Sequence, residues 1–502
     1  MLFNSFSFFI FFPVVVFLYY IVPAKWRTLL LLMASSYFYM AFVPKYILIL
    51  FALITADFFL GKYIEGAVGV RRRMLLIFSV IANLGTLFVF KYFNFFNENI
   101  AALAGWLHWN YSPLLLTIIL PLGLSFHIFQ SLSYVIEVYR GRHPAERSYL
   151  AYALYVMFFP QLVAGPIERP QHLLPQLHLT HKLDFGNIRR GLERILWGLM
   201  KKIVIADNLA AYVDQVYNYP HNYSGPVLLV ATIFFAFQVY CDFSGYSDIA
   251  VGSARVLGVE LSENFNRPFL SLSMAEFWRR WHISLSNWLR DYLYYPLALK
   301  ARGNARFRLS WALFVTMVLI GLWHGANWTF VVFGALHGTY LVVGQFTKNA
   351  RERLAGWVGL TKIPRLLRTL QAATTFFLAS IGFLVFRANS LSEAIYIFTN
   401  ALSGTFRLVG ETVSAFGQFS LSPFVNLISS LTLEGAGRRQ FVFFWALIIL
   451  FFLLDKKAAS ENEMDIFRGR KAWLRWSLYI IAALCIMNLG VTHEIPFIYF
   501  QF

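Results

Sequence analysis

The chain has 502 residues, 58% hydrophobic, 19% aromatic and only 14% charged, with a formal net charge of +18. A soluble domain carries about 25% charged residues, and here apolar runs recur from end to end. The composition therefore excludes both a soluble globular protein and a soluble domain hung on one anchor.

In chain order the candidate spans are 6–22, 28–43, 45–61, 74–91, 113–138, 149–164, 203–219, 226–241, 309–324, 328–345, 372–387, 440–454 and 473–490. Several have fewer than the ~20 residues that a straight span needs, so some are expected to be tilted or re-entrant, leaving about 11 true crossings. Backbone groups in hydrocarbon must bond within their own segment, which predicts helices. The ~10-residue alternation of barrel strands is absent. The opening MLFNSFSFFIFFPVVVFLYY lacks a basic n-region and a small-residue cleavage site, so it reads as a retained first helix. Cys241 and Cys485 lie far apart in apolar runs, which excludes a disulfide framework or a cysteine zinc cluster and leaves buried apolar thiols.

The positive charge falls between spans. Lys25 and Arg27 follow the first, Arg71, Arg72 and Arg73 the third, and Arg140, Arg142 and Arg147 the fifth, while the intervening loops carry little. Basic alternate loops place the N-terminus outside and the Arg71 and Arg140 loops in the cytoplasm. This distribution argues against a nucleic-acid partner. The residual excess suits anionic lipid headgroups.

No linker marks a second domain and no repeat period is present, so 1–502 reads as a single integral-membrane domain. Residues 139–202 interrupt the span pattern. Pro160, Gly165 and Pro166 break the apolar stretch AYALYVMFFPQLVAGP, and both of its flanks are basic, so it is expected to dip in and return. Residues 187–202 space Ile188, Leu192, Ile195, Leu196 and Leu199 as one face of an interfacial helix. A second irregular region covers 262–308, with its basic interfacial part at 276–308. Residues 400–439 are the least hydrophobic and read as a long loop.

Two histidines stand inside aromatic stretches of this apolar chain, His282 in FWRRWHISLSNWLRD and His324 in GLWHGANW. An ionisable side chain at membrane depth is costly, so each is a functional-site hypothesis by default. Gly321 and Gly325, then Gly334 and Gly338, have the small-xxx-small spacing that draws helices together, and helix packing is their ordinary reading. Such packing also frames a slot beside His324, which Trp323 and Trp328 flank. On one continuous helix His337 stands ~20 Å of rise from His324, which argues against a shared reaction centre and reads His337 as a hydrogen-bonded buried histidine. From pattern alone, His324 stays open between a catalytic and a packing role.

In the His282 stretch, Trp278, Trp288 and Tyr292 fit an interfacial belt. Arg279 and Arg280 suit an anionic phosphate, whether on a donor substrate or on lipid. Ser286, one turn beyond His282, is a minor candidate nucleophile. Asp242 and Asp248 need partners in their apolar surroundings. Arg255 and Arg267 are the expected ones, with orientation of a catalytic histidine as the lesser alternative. P-loop, HExxH and GxSxG motifs are absent.

The long stretches PLGLSFHIFQSLSYVIEVYRG, VAGPIERPQHLLPQL, VYCDFSGYSDIAVG, ENFNRPFLSLSMAEFWRRWHISLSNWLRDYLYYPL and LIGLWHGANWTFVVFGALHG, with the opening MLFNSFSFF and the terminal FIYFQF, occur in one order. Together they resemble the membrane-bound O-acyltransferases, in the bacterial alginate O-acetyltransferase branch, over nearly the whole chain. The resemblance implies an all-α polytopic fold, a ring of tilted transmembrane helices with re-entrant and interfacial helices around a central funnel. It implies an acetyltransferase of the bacterial inner membrane. Such an enzyme moves an acetyl group from a cytoplasmic thioester, acetyl-CoA or another, toward an extracytoplasmic polysaccharide, with no tightly bound cofactor. A periplasmic or membrane-anchored acetyltransferase partner within a polysaccharide biosynthesis complex is part of the same expectation. His324 corresponds to the essential histidine and His282 to the second. Trp281, Trp323, Asn327, Trp328, Arg279, Arg280 and Asp242 are then substrate-side candidates.

Two departures touch this picture. YYPLALKARGNARF lacks a glycine pair expected after the second histidine motif, and His127 stands where an aromatic residue is expected. A neutral histidine suits proton removal from the acceptor hydroxyl, and His282, Asn327 or an indole N–H suits the developing oxyanion. The alternatives are a transporter of an acyl donor or lipid-linked sugar, and a scaffold subunit of a polysaccharide secretion complex. Repeated broken helices would mark a transporter, and none is visible.

Overall fold

The structure is a computed structural model. It describes residues 1–502 except 119, 122, 164, 301–303, 418–421, 434–436, 461–470, 492–494 and 501–502. Part of the altered loop at 301–303 and the last two residues of FIYFQF thus lie outside the described residues. Secondary structure among the described residues is helical, without strands. The chain forms two compact units, one of Met1–Gly198, Tyr246–Asn264 and Tyr499–Phe502, the other of Leu199–Gly245 and Phe265–Ile498.

The first unit contains α1 (Phe6–Ile21), α2 (Ala24–Met40), α3 (Ile47–Gly66), α4 (Gly69–Leu87), α5 (Phe93–Trp106), α6 (Leu124–Tyr139), α7 (Tyr149–Met157), α8 (Pro170–Leu177) and α9 (Phe185–Leu199). Ser5 starts α1 by accepting the Phe8 N–H, and Ser148 starts α7 by accepting that of Ala151. Among the described residues, the stretch 113–138, expected as one span, is helical only from Leu124. Pro113 and Pro121, with Gly123 in the left-handed region at φ 70°, keep the preceding residues out of a helix. Asp57 of α3 is buried and accepts from Ser79 Oγ at 2.6 Å and Asn83 Nδ2 at 2.8 Å, both on α4. That carboxylate is thus met by polar partners within the apolar layer.

The predicted break falls where the prolines place it. α7 ends at Met157 and the following turn buries Phe158, Phe159, Leu162 and Val163. Its polar backbone is answered by side chains. Gln130 and Gln161 both donate to the Tyr155 carbonyl at 2.6 Å, and Ser35 Oγ accepts the Phe159 N–H at 3.0 Å. His127 Nδ1 bonds the Val156 carbonyl at 3.1 Å. Irregular backbone survives at depth only against such protein partners. A phenyl ring at 127 would lose that bond, which gives His127 a structural reason for its departure from the aromatic expectation.

The second unit contains α10 (Asp207–Asn218), the start of α11 (Gly225–Val256), α12 (Met274–Arg280), α13 (Ile283–Leu289), α14 (Tyr295–Lys300), α15 (Ala305–His324), α16 (Trp328–Phe346), α17 (Lys348–Trp357), α18 (Pro364–Arg387), α19 (Leu391–Gly417), α20 (Ser422–Leu431), α21 (Arg438–Ser460) and α22 (Ala472–Leu489). The loop expected at 400–439 is largely α19 and α20. Low mean hydropathy hid a one-sided helix, since Ala394, Ile397 and Ala401 are buried at helical spacing while Ile395 and Phe406 stay exposed.

Seven described stretches are long and apolar enough to cross a membrane, 44–66, 69–106, 225–256, 305–324, 328–346, 364–387 and 472–489. In α11, 89% of the most apolar window is buried against protein, whereas none of that window in α22 is. α11 is therefore an internal helix, and α22 turns its apolar surface outward, as a lipid-facing helix does.

Candidate active site

The site residues of the second unit are set by two abrupt changes of backbone direction. α15 ends at His324, three residues reverse the chain, and Asn327 caps α16 by accepting the Thr329 N–H at 3.0 Å. Close approach of the two helices depends on glycine. A Cβ on Gly321 would lie 2.1 Å from the Phe330 carbonyl oxygen, and one on Gly334 would lie 2.4 Å from that of Met317. The small-residue spacing thus packs the two arms of one hairpin. His324 and His337 consequently stand on different helices, and the ~20 Å rise of a continuous helix does not separate them. The Phe333 ring touches both, at centroid distances of 5.8 Å from His324 and 4.6 Å from His337.

The second change of direction is at His282. α12 starts at Ser273, whose hydroxyl accepts the Glu276 N–H, and closes at Trp281. His282 then takes φ 43° and ψ 56° to start α13. A non-glycine residue in the left-handed region costs about 1–3 kcal/mol and persists only where its surroundings impose it. Asn266 helps to impose it, donating its N–H to the Arg280 carbonyl at 2.9 Å. The His282 side chain is fully buried, with Phe243 edge-on at 4.7 Å and Trp323 at 6.1 Å. Burial pushes its imidazole down to about 3, so the ring is neutral.

Trp323 joins the two motifs. Its ring lies 6.1 Å from His282 and 4.9 Å from His324, and both histidines are buried. Phe333 at 5.8 Å and Phe386 at 5.4 Å complete the ring contacts of His324. Two neutral-capable imidazoles with an indole in contact with both, walled by phenylalanines, form a dry setting in which a proton can be taken and an oxyanion met. Trp281 is buried behind them, stacked on Phe277 at 5.6 Å and 14°.

The remaining candidates are spread more widely. Asn327 is exposed and its carbonyl oxygen is spent on the α16 cap. Trp328 is 51% exposed and Arg279 is exposed, while Arg280 is ion-paired with Glu276 at 2.6 Å. Ser286 donates its hydroxyl to the Trp281 carbonyl at 3.3 Å, which directs it away from a nucleophile's task. Asp242 is buried, but its partner is Lys202 at 2.6 Å rather than Arg255 or Arg267. Arg255 follows Asp242 by 13 residues on α11, ~20 Å along the axis, and instead approaches Glu260 at 3.9 Å. Arg194, in the first unit, pairs with Asp248 at 3.0 Å. Lys202 also pairs with Asp207 at 2.7 Å. The sequence signal for this cluster was an acidic residue five positions after a lysine pair inside apolar sequence. Phe243, Phe333 and Phe386 carried no signal, since the chain has 53 phenylalanines.

Comparison with known proteins places this chain in a family. Residues 140–357 match the model of MBOAT, the membrane-bound O-acyltransferase family. The chain is 36% identical to a probable alginate O-acetylase AlgI of Pseudomonas putida, with 100% of each chain covered. It is 39% identical to the probable alginate O-acetylase AlgI of Pseudomonas aeruginosa over 88% of this chain and 82% of that one. It is 30% identical to a peptidoglycan O-acetyltransferase of Helicobacter pylori, covering 96% and 92%. The chain belongs to the membrane-bound O-acyltransferase family, as a multi-pass membrane O-acyltransferase.

Proposed function

We propose that this protein moves an acetyl group from a cytoplasmic thioester, acetyl-CoA being the simplest, toward O-acetylation of an extracytoplasmic polysaccharide. The observation that carries the reading is the Trp323 ring in contact with both His282 and His324, each of them buried. In the proposed reaction His324 takes the proton of the acceptor hydroxyl as its oxygen attacks the thioester carbonyl. The C–S bond then breaks, and the thiolate leaves and is protonated. Neutral His282 and the Trp323 indole N–H donate to the oxyanion that forms between those two steps. Arg279, the exposed member of the arginine pair, is assigned to the anionic part of the donor. Trp281 and Trp328 are assigned to the walls of the substrate path, and Asn327 to its rim.

The named relatives act on alginate and on peptidoglycan, which supports a cell-surface glycan as the acceptor. We place the protein in the bacterial inner membrane with its N-terminus periplasmic, because the basic loops alternate. A periplasmic or membrane-anchored acetyltransferase then passes the group to the polymer. The test is His324→Ala in protein held at wild-type membrane levels, with acetyl ester measured on the exported polysaccharide. Loss of the ester is expected. Near-normal esterification sinks the assignment.

A further inference from the structure

His337 is fully buried on α16, and nothing in the acyl-transfer reading uses it. The indole N–H of Trp278 donates to its Nδ1 at 3.2 Å. An indole can only donate, so Nδ1 must carry the lone pair and the ring is the neutral Nε2–H tautomer. A protonated ring would oppose two N–H groups across that bond.

The surroundings of His337 connect it to both site histidines. Phe333, packed on its ring at 4.6 Å, is also in contact with His324. Phe277 stacks on it at 6.3 Å and 18°. Trp278 lies four residues before His282, where the backbone turns left-handed. On the remaining side α18 leaves no space, since a Cβ on Gly382 would lie 2.2 Å from His337 Nε2. His337 is thus wedged among α12, α16 and α18, one ring from His324 and joined through Trp278 to the helix that precedes His282.

We infer that His337 is a positioning residue for acyl transfer, its bond from Trp278 fixing α12 and with it the orientation of His282, while its ring backs the Phe333 wall of His324. The inference rests on the catalytic reading of those two histidines. It assigns His337 no proton transfer of its own.

The test uses the full chain in membrane vesicles, with thiol release from acetyl-CoA as the readout. Trp278→Phe keeps an aromatic side chain, smaller by one ring, and removes the N–H. It is expected to lower kcat about tenfold with little change in KM, the mark of misplaced chemistry. His337→Phe removes the acceptor and should do the same, and the double variant should be no worse than either single. His337→Asn keeps an acceptor near Nδ1 and should recover turnover to within about threefold of wild type, since one neutral hydrogen bond is at stake. The pH profile of kcat should keep its shape in all four. Additive losses in the double variant, an Asn variant as impaired as the Phe variant, or loss of the acidic limb in His337→Phe would overturn the inference. If His337→Phe fails to accumulate, Trp278→Phe against wild type decides, and unchanged turnover there overturns it. A fully active His324→Ala counts against the catalytic reading alone, because the Trp278 and His337 effects are read relative to wild type.

Discussion

Asp242 Oδ2 accepts the backbone N–H of Ile498 at 2.8 Å while its Oδ1 lies 2.6 Å from Lys202 Nζ. One buried carboxylate thereby holds both a buried lysine and the C-terminal segment. The fastening matters for the site, because Phe497, fully buried, packs on Phe243 at 5.4 Å, and Phe243 is the ring edge-on to His282. Asp242→Ala removes one of the carboxylates paired with Lys202 and frees the Ile498 N–H. Removing one partner of a buried ion pair costs about 3–5 kcal/mol, so a clear fall in thermal stability of the purified protein is expected. Asp242→Asn, which keeps an acceptor for Ile498, should retain the C-terminal segment better than it retains stability. Protease access to the C-terminus measures the first and thermal unfolding the second.

The hairpin of α15 and α16 supplies a sharper test. Gly321→Ala places its methyl 2.1 Å from the Phe330 carbonyl oxygen, a backbone atom that cannot rotate away. Overpacking costs about 1–3 kcal/mol where neighbours can yield, and here the helices must part. Low yield of folded protein and loss of activity are expected. Gly344→Ala, on the same α16 with nothing within 4 Å, should be neutral or stabilising. Equal outcomes for the two would contradict the close hairpin.

The two histidines were legible because ionisable groups are rare in apolar sequence. The break near Pro160 was legible because proline and glycine act locally. What joins the parts was not. Trp323 was visible as a neighbour of His324, but its contact with His282 crosses 41 positions of sequence, and no local pattern encodes that distance. Lys202 ends the amphipathic stretch 187–202 on a basic flank, yet it is 1% exposed, because its charge is balanced by carboxylates on α10 and α11. The helix α19 was hidden because 400–439 averages low in hydropathy, although Ala394, Ile397 and Ala401 are buried at helical spacing.

A pH response is expected from the first unit. Glu168 is buried and bonds His172 Nδ1 at 2.6 Å, also accepting from the Ser262 N–H. The bond from His172 to that carboxylate raises the His172 pKa above its ordinary 6.5. A folded-state value above the unfolded one adds stability that is fully present below 6.5 and is lost as pH rises through the raised value. His172→Gln should flatten the part of the stability curve that falls across that window. The difference in melting temperature between wild type and variant at pH 6 and pH 8 reads it. A gap that stays constant with pH would remove His172 from the explanation.

Trp323 allows packing and catalysis to be separated at one position. Its ring lies 6.1 Å from that of His282 and 4.9 Å from that of His324, and its indole N–H is one of the proposed oxyanion donors. Trp323→Phe keeps an aromatic wall, smaller by one ring, and removes the donor. Loss of a donor aimed at the transition state lowers kcat by about 10²–10³ with KM nearly unchanged. Loss of packing alone would lower thermal stability and loosen substrate binding together, which raises KM. The kcat effect is the expected outcome, measured as thiol release from acetyl-CoA in vesicles matched for protein content. A Trp323→Phe enzyme with normal kcat would leave the oxyanion to His282, and its turnover would then depend steeply on replacement of His282 by an apolar ring.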